Sequence, residues 1–206
     1  MQRPRALALL AGIVLVLMFT ETALTSCLPL LPGMDPDAPT AGYKVFTGRV
    51  DGFRITFEYP EGWTKTKFER YDEHADYRVQ RFSPHGLSSL AVSSQTDTSG
   101  GGKYATASEL VNSLLEADDN APEFHLISKS EPSLGQVAAY EVVASFRLQG
   151  KDAHSTAVVD EIVVERRIGA NYRGRIYVIS TFADENEDLV VKPGYEHIVA
   201  TFHFLD

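Results

Sequence analysis

Two apolar-rich runs, 43–50 and 53–59, flank the dipeptide Asp51-Gly52. Both central residues of a two-residue hairpin turn need positive φ, and an Asp-Gly pair adopts that conformation readily. In the second run apolar and polar residues alternate, which is the period of a strand buried on one face. The pattern therefore predicts an antiparallel hairpin. The alternating apolar residues are Phe53, Ile55, Phe57 and Tyr59.

The rest of the chain predicts further strands and two helices. Thr106 and Glu109 form a capping box before an amphipathic run, which predicts the first helix. The second helix is expected to start near Pro193, a residue suited to a first turn, and to carry an apolar stripe of Tyr195, Ile198, Val199 and Phe202. The expected strands are 77–82, 87–94, 124–130, 138–148, 156–167 and 172–182.

The last two of these strands are expected to form a second hairpin around Gly169-Ala170-Asn171. Residues 176–179 are apolar on both faces, which predicts a central strand that is covered twice. Together the elements predict an α+β fold, in which a mainly antiparallel sheet carries helices on its faces.

The N-terminus has the composition of a secretory signal. Arg3 and Arg5 precede an unbroken apolar run of 14 residues, Ala6–Phe19. That run is shorter than the roughly 17–25 residues of a membrane-spanning helix, and it fits the apolar region of a signal peptide. Two alternatives stay open: a buried helix of the folded domain, and a plain secretory signal cleaved at another position.

The tetrapeptide Leu24-Thr25-Ser26-Cys27 resembles a bacterial lipobox, and Cys27 is the only cysteine in the chain. The resemblance implies that Cys27 is lipidated and that residues 1–26 are removed. Four prolines in the segment that follows predict an extended tether. We therefore expect a signal peptide (1–26), a lipidated tether (27–42) and one globular domain (43–206), anchored outside the cytoplasm in a bacterial cell envelope.

The remaining composition limits the function further. The chain carries a net charge of −9, which disfavours binding to nucleic acid or to an anionic lipid surface. Removal of the signal leaves about 180 residues, enough for one domain with a core. Because Cys27 would be lipidated, no cysteine remains for a disulfide, and the fold must rest on core packing.

The predicted elements and two short motifs of the chain resemble the PsbP-like family. The resemblance rests on Gly52-Phe53-Arg54-Ile55, on Tyr59-Pro60-Glu61-Gly62-Trp63, on the order of elements and on the closing segment 195–204. It implies an α-β-α sandwich that acts as an accessory or binding module, and no catalytic residue is carried over with it.

Two acidic runs are candidate metal sites. Asp72, Glu73, His74 and Asp76 offer oxygen and imidazole ligands for a divalent cation such as Mn²⁺ or Zn²⁺, although a polar loop is the favoured interpretation. Residues 184–188 lack the glycine and the distal glutamate of a calcium loop, so a solvated loop is expected there. His197 and His203 are expected to have surface or capping roles.

The sequence contains little that indicates a catalytic site. The segment 86–90 has the wrong fifth residue for a nucleophile elbow, and 100–104 lacks the hydroxyl that follows lysine in a phosphate loop. The sequence therefore predicts a non-catalytic, membrane-anchored module that binds another envelope protein and needs no cofactor. A small-ligand or divalent-metal binding module is the alternative, and a hydrolase assembled from distant residues is a third hypothesis.

Overall fold

The structure is a computed structural model that describes residues 40–71, 75–84, 88–151 and 158–206. The predicted signal segment and Cys27 lie outside these residues. None of the helices in the described part of the chain has the length and apolar character needed to span a membrane. The elements are β1 (Tyr43–Val50), β2 (Phe53–Pro60), β3 (Thr64–Lys65), β4 (Glu69–Tyr71), β5 (Tyr77–Ser83), β6 (Ser89–Thr96), α1 (Ala107–Asp118), β7 (His125–Ser130), β8 (Ser133–Leu134), β9 (Val137–Lys151), β10 (Val158–Tyr172), β11 (Arg175–Asp184), α2 (Glu185–Thr201) and β12 (His203–Phe204).

The strands form two antiparallel sheets. The central sheet has the order β3-β5-β6-β11-β10-β9-β7, with β4 paired to β5 and β8 paired to β9. The second sheet has the order β1-β2-β12. Helix α1 packs on one face of the central sheet, and α2 packs on the other face together with β2. The predicted α+β class with a mainly antiparallel sheet is confirmed.

Strand β11 lies between β6 and β10 and separates two apolar cores. Ile176 and Val178 belong to the core beneath α1, whereas Tyr177 and Ile179 belong to the core beneath α2. Each of these four side chains is at most 4% exposed. The prediction of a central strand covered on both faces is therefore confirmed.

The first hairpin brings its aromatic face onto the end of α2. Phe57 stacks on Phe46 with ring centroids 5.0 Å apart and on Phe202, just beyond α2, at 6.1 Å, and Phe82 meets it edge-on at 5.7 Å. The predicted hairpin and the predicted apolar stripe of the last helix are thus two sides of the same core. The hairpin pairs with β12 in a sheet of its own, a separation that the strand pattern did not predict.

The second hairpin turns at a different place from the one predicted. Arg173 and Gly174 form the two-residue turn, with φ of 48° and 75°. Gly169 lies inside β10, where an added Cβ would be 3.2 Å from both Ala107 Cβ and Val111 Cγ2. The glycine is there because α1 packs closely on the strand, and the prediction of a turn at 169–171 is wrong.

Helix α2 begins eight residues before Pro193, the predicted start. Asp184 caps it, because its Oδ1 accepts hydrogen bonds from the backbone N–H of Asn186 at 2.8 Å and of Glu187 at 3.1 Å. Residues 184–188 are therefore the cap and first turn of a helix, where carboxylates interact favourably with the helix dipole. The expectation of a loop there is wrong.

Candidate functional site

The turn after β2 forms one wall of an apolar cleft. The backbone N–H of Trp63 donates to the carbonyl of Pro60 at 3.0 Å, which closes the turn. The opposite wall is the first half of α2. We call this space, of about 440 Å³, the Trp63 cleft. Its lining residues are Pro60, Gly62, Trp63, Pro84, Glu187, Val190 and Val191.

Trp63 is positioned by a glycine of α2. An added Cβ at Gly194 would lie 2.4 Å from Cζ2 and 2.7 Å from Cη2 of the indole ring. The ring therefore rests directly on the helix backbone, at a position where no other residue fits without a shift. Trp63 is half-buried, and its inner edge packs against the core beneath α2.

The cleft opens beside two exposed apolar residues of α2. Val190, which lines the cleft, is 69% exposed, and its chain neighbour Leu189 is 81% exposed. Single exposed apolar side chains are common on protein surfaces, but apolar surface that continues into a cleft is typical of an interaction site. Val190 therefore extends the apolar lining of the Trp63 cleft onto the exposed surface of α2.

Carboxylates surround the apolar part of the cleft. Glu61 lies in the turn, Glu187 lines the wall, and Glu185 belongs to the same helical turn as Glu187. Lys44 approaches Glu61 at 3.5 Å, through a pair whose side chains are both largely exposed. The buried Ser88 hydroxyl donates to Glu187. The surroundings are therefore acidic, in agreement with the net charge of the chain.

Two polar contacts fix α2 against the central sheet. Arg166 on β10 binds both carboxylate oxygens of Asp188, with Nη2 to Oδ2 at 2.8 Å. The Tyr195 hydroxyl donates to Glu141 Oε1 at 2.8 Å. Burial raises the pKa of Tyr195 well above its usual value, so the hydroxyl remains a donor. These contacts hold the outer face of α2, with Leu189 and Val190, in a defined orientation.

His197 joins α2 to the first hairpin. Its Nε2 lies 2.7 Å from Glu58 Oε2, and its ring stacks on Tyr43 with centroids 3.7 Å apart. Burial raises the pKa of Glu58, but its hydrogen bonds with Thr40 and His197 outweigh that effect. The pKa of Glu58 is therefore below its usual value. His197 therefore links two layers, a role that the expected surface or capping position did not include. His203 is exposed on β12.

Only one member of the predicted metal cluster lies in the described part of the chain. Asp72, Glu73 and His74 fall outside it. Asp76 binds the guanidinium groups of Arg78 and of Arg175, the latter at 2.7 Å. Burial raises the pKa of Asp76, but these two partners lower it below its usual value. Among the described residues, no group of three or more His, Cys, Asp or Glu is placed to hold a metal ion.

A larger groove of about 620 Å³ lies between α2 and β9, but it is less suited to binding an apolar partner. Its polar lining groups include Arg166, Tyr195 and Lys192. Arg166 and Tyr195 already have the partners described above, and Lys192 approaches Glu196 at 3.8 Å. Ile127, which is 51% exposed, also lines this groove, but the lining of the Trp63 cleft is more apolar.

Sequence analysis found the turn that carries Trp63 but missed Leu189 and Val190. The missing information was the start of α2. Once Asp184 is taken as the helix cap, the buried positions Val191, Tyr195 and Ile198 follow helical spacing. Leu189 and Val190 then fall outside the buried stripe, which is the signal that could have identified them.

Comparison with known proteins supports the fold. No protein-family model and no curated protein sequence matches this chain. The solution structure of cyanobacterial PsbP from Synechocystis sp. PCC 6803 superposes with a TM-score of 0.52 at 16% identity, and the match covers 84% of this chain and 98% of that one. The fold is PsbP-like. The resemblance inferred from the turn and the closing helix is confirmed at this level.

Two other solved structures are similar to a lesser degree. LpqN, a protein involved in cell envelope biogenesis of Mycobacterium tuberculosis, gives a TM-score of 0.48 at 14% identity, over 80% of this chain and 91% of that one. The Ran-binding protein Mog1p of Saccharomyces cerevisiae gives 0.44 at 14% identity, over 80% and 96%. Neither score is high enough to support an argument about this chain.

Proposed function

We propose that this chain is a lipid-anchored accessory protein of a bacterial cell envelope, and that it binds another envelope protein through the Trp63 cleft without catalysing a reaction. The observation that carries the proposal is the exposure of Leu189 and Val190 beside an apolar cleft. A rigid, PsbP-like sandwich presents this surface.

The free energy that a partner would gain by burying the apolar residues at the cleft is large enough for binding. Complete burial of a leucine or valine side chain contributes about 1.5–3 kcal/mol. Leu189 is 81% exposed and Val190 is 69% exposed, so most of that contribution is still available to a partner. A partner that also covered Trp63 would gain further, since aromatic side chains are enriched among the residues that dominate binding energy.

The charge around the cleft indicates the chemistry of the partner. Glu61, Glu185 and Glu187 place carboxylates near the apolar surface. A matching surface would present an apolar side chain flanked by lysine or arginine, because complementary charge increases the rate and the specificity of association. The same carboxylates disfavour direct insertion of Leu189 and Val190 into an anionic bilayer.

The anchor rests on the lipobox resemblance at Cys27. One acyl chain gives only marginal membrane binding, whereas two or three chains hold a protein durably. The proline-rich segment 28–42 would separate the anchor from β1, which begins at Tyr43. In this arrangement the Trp63 cleft meets partners that lie close to the same membrane.

Crosslinking in intact cells of the native host, followed by affinity purification, tests the proposal. The informative variant is Leu189→Asp/Val190→Asp. The matched control is Val45→Asp/Val50→Asp on β1, because these two residues are also apolar and exposed, at 47% and 46%, and line neither the Trp63 cleft nor the larger groove. We expect the wild type and the control to recover the same envelope protein, and the cleft variant to recover at least about tenfold less.

Two outcomes would contradict the proposal. Recovery of the partner by the cleft variant at the wild-type level would show that the cleft is not the binding surface. Failure of the wild type to recover any reproducible partner would remove the protein-binding function itself.

A further inference from the structure

The central sheet extends beyond α1 on the face that this helix covers. Helix α1 packs on β9, β10 and β11, whereas β6 and β5 follow β11 toward one edge of the sheet. Side chains alternate between the two faces of a strand, so the residues of β6 that point away from the core beneath α2 are Ser89, Ala91, Ser93 and Gln95. All four are uncharged, and three of them are small. They leave a trough beside α1, which we call the β6 trough.

A cavity of about 370 Å³ lies in the β6 trough. Leu110 and Leu114 of α1 line one side of it, and Tyr77 of β5 lines the other. Tyr71 of β4 pairs directly with Tyr77, and their ring centroids are 6.1 Å apart. Leu114 is 37% exposed and Tyr71 is 44% exposed, so both sides are open to solvent. The volume falls in the range of small-molecule sites, roughly 300–1,000 Å³.

Several polar side chains of the cavity have unused hydrogen-bonding capacity. Within the described part of the chain, Gln95, Ser180 and Tyr77 make no side-chain hydrogen bond to another residue. The Ser93 hydroxyl has only a long contact, 3.4 Å, to the carbonyl of Val178. A ligand with several hydroxyl or amide groups could therefore satisfy donors and acceptors of this lining at the same time.

The backbone of the floor is not available to a ligand. Strand β6 is paired with β5 on one side and with β11 on the other. A peptide that binds by adding a strand to a sheet needs a free strand edge, which this position does not offer. Recognition in the β6 trough must therefore use side chains.

The charges of the cavity favour a neutral ligand. Glu165 and Arg167 of β10 are the charged residues that line it. They form an ion pair, with Arg167 Nη2 2.5 Å from Glu165 Oε1, so the lining has no net charge. The two side chains are 13% and 12% exposed. A charged ligand would have to compete with this poorly hydrated pair, whereas a hydroxyl group can bind beside it without separating the two charges.

We propose that the β6 trough binds a neutral glycan through one of its pyranose rings. The C–H groups of the ring pack on Tyr77, because they carry partial positive charge and the face of an aromatic ring is negative. The hydroxyl groups bind the Gln95 amide and the Ser180 hydroxyl on the floor, and Tyr71 extends the aromatic wall toward the next sugar. This site is independent of the Trp63 cleft, which lies on the α2 side of the sheet.

Isothermal titration of the purified protein tests the inference. The probes are maltose, cellobiose and N,N′-diacetylchitobiose, which are neutral disaccharides that differ in linkage and in substituents. Sorbitol is the control ligand, because it has the hydroxyl groups of a sugar but no ring. We expect at least one disaccharide to bind with a Kd below about 10 mM. Sorbitol should bind at least about tenfold more weakly, since it has no ring face and loses more conformational freedom on binding.

Gln95→Ala should weaken disaccharide binding at least about fivefold, because it removes hydrogen bonds to the ligand. Gln149→Ala is the matched control and should leave the affinity unchanged. Gln149 is an exposed glutamine of β9 that alternates with Val142 and Ala144, so it lies on the other face of the central sheet.

Three results would overturn the inference: none of the three disaccharides binds at about 10 mM, sorbitol binds as well as the disaccharides, or Gln95→Ala binds them as tightly as the wild type does. The first two are measured on the wild-type protein and decide the matter even if the Gln95 variant folds poorly.

Discussion

The contact between Gly194 and Trp63 predicts a strong energetic coupling between the two positions. In Gly194→Ala the new methyl group would lie 2.4 Å from Cζ2 and 2.7 Å from Cη2 of Trp63. Carbon atoms pack best at about 3.5–4.0 Å, so the overlap with the ring is about 1 Å. Overpacking of this kind costs about 1–3 kcal/mol.

The same substitution has a favourable component. Alanine is about 1 kcal/mol better than glycine inside a helix, and Gly194 is an interior residue of α2. In the wild-type background Gly194→Ala should therefore be neutral or destabilise by up to about 2 kcal/mol. In a Trp63→Ala background the ring is absent, and the substitution should stabilise by up to about 1 kcal/mol, reduced by the 3.0 Å approach to Pro60 Cγ.

Denaturant unfolding of the wild type, the two single variants and the double variant measures this coupling. Trp63 is the only tryptophan in the chain, so far-UV circular dichroism is the probe that all four proteins share. We expect an interaction free energy of about 1–3 kcal/mol between the two positions. A value below about 0.5 kcal/mol, equal to that of well-separated sites, would refute the close contact that shapes the cleft.

Three further predictions concern other parts of the molecule. Thr106→Ala should destabilise the protein by about 1 kcal/mol in denaturant unfolding, because the Thr106 hydroxyl accepts from Glu109 N–H at 3.2 Å at the start of α1. Glu116→Ala, at an exposed position inside α1, is the control without a capping role. Burial raises the pKa of Glu165 on β10 from 4.5 to about 7 on folding. The free energy of unfolding should therefore fall by up to about 3 kcal/mol between pH 4.5 and 7 and then level off. Glu165→Gln should lack that fall. Cys27→Ser should abolish fatty-acid labelling of the chain in cells; continued labelling would contradict lipidation at Cys27.

The features that were predicted correctly depend on local interactions. Gly52 supplies a positive φ of 72° in its own turn, whereas Asp51 does not adopt one, and Thr106 and Glu109 accept hydrogen bonds from backbone N–H groups three or four residues away. The alternating and helical apolar patterns then place the hairpin and the end of α2 in one core. Such signals lie within a few residues, so a single sequence contains them.

The errors depend on packing between distant segments. Gly169 and Gly174 are both glycines in a plausible turn region, and only the approach of α1 to Gly169 shows which of them is not in the turn. The local sequence predicts a helix start near Pro193, whereas the helix begins after its cap residue Asp184, nine positions earlier. The Trp63 cleft could not be predicted, because it exists only where the turn after β2 meets α2.

The central claim is that the Trp63 cleft is where the protein meets its partner. Its most direct test is photocrosslinking in intact cells with a benzophenone amino acid at position 189, compared with the same amino acid at position 116. Leu189 is beside the cleft, whereas Glu116 is exposed on α1, which covers the other face of the central sheet. The account predicts one discrete adduct from position 189 and none of that size from position 116. No adduct from position 189, or the same adduct from both positions, would contradict it.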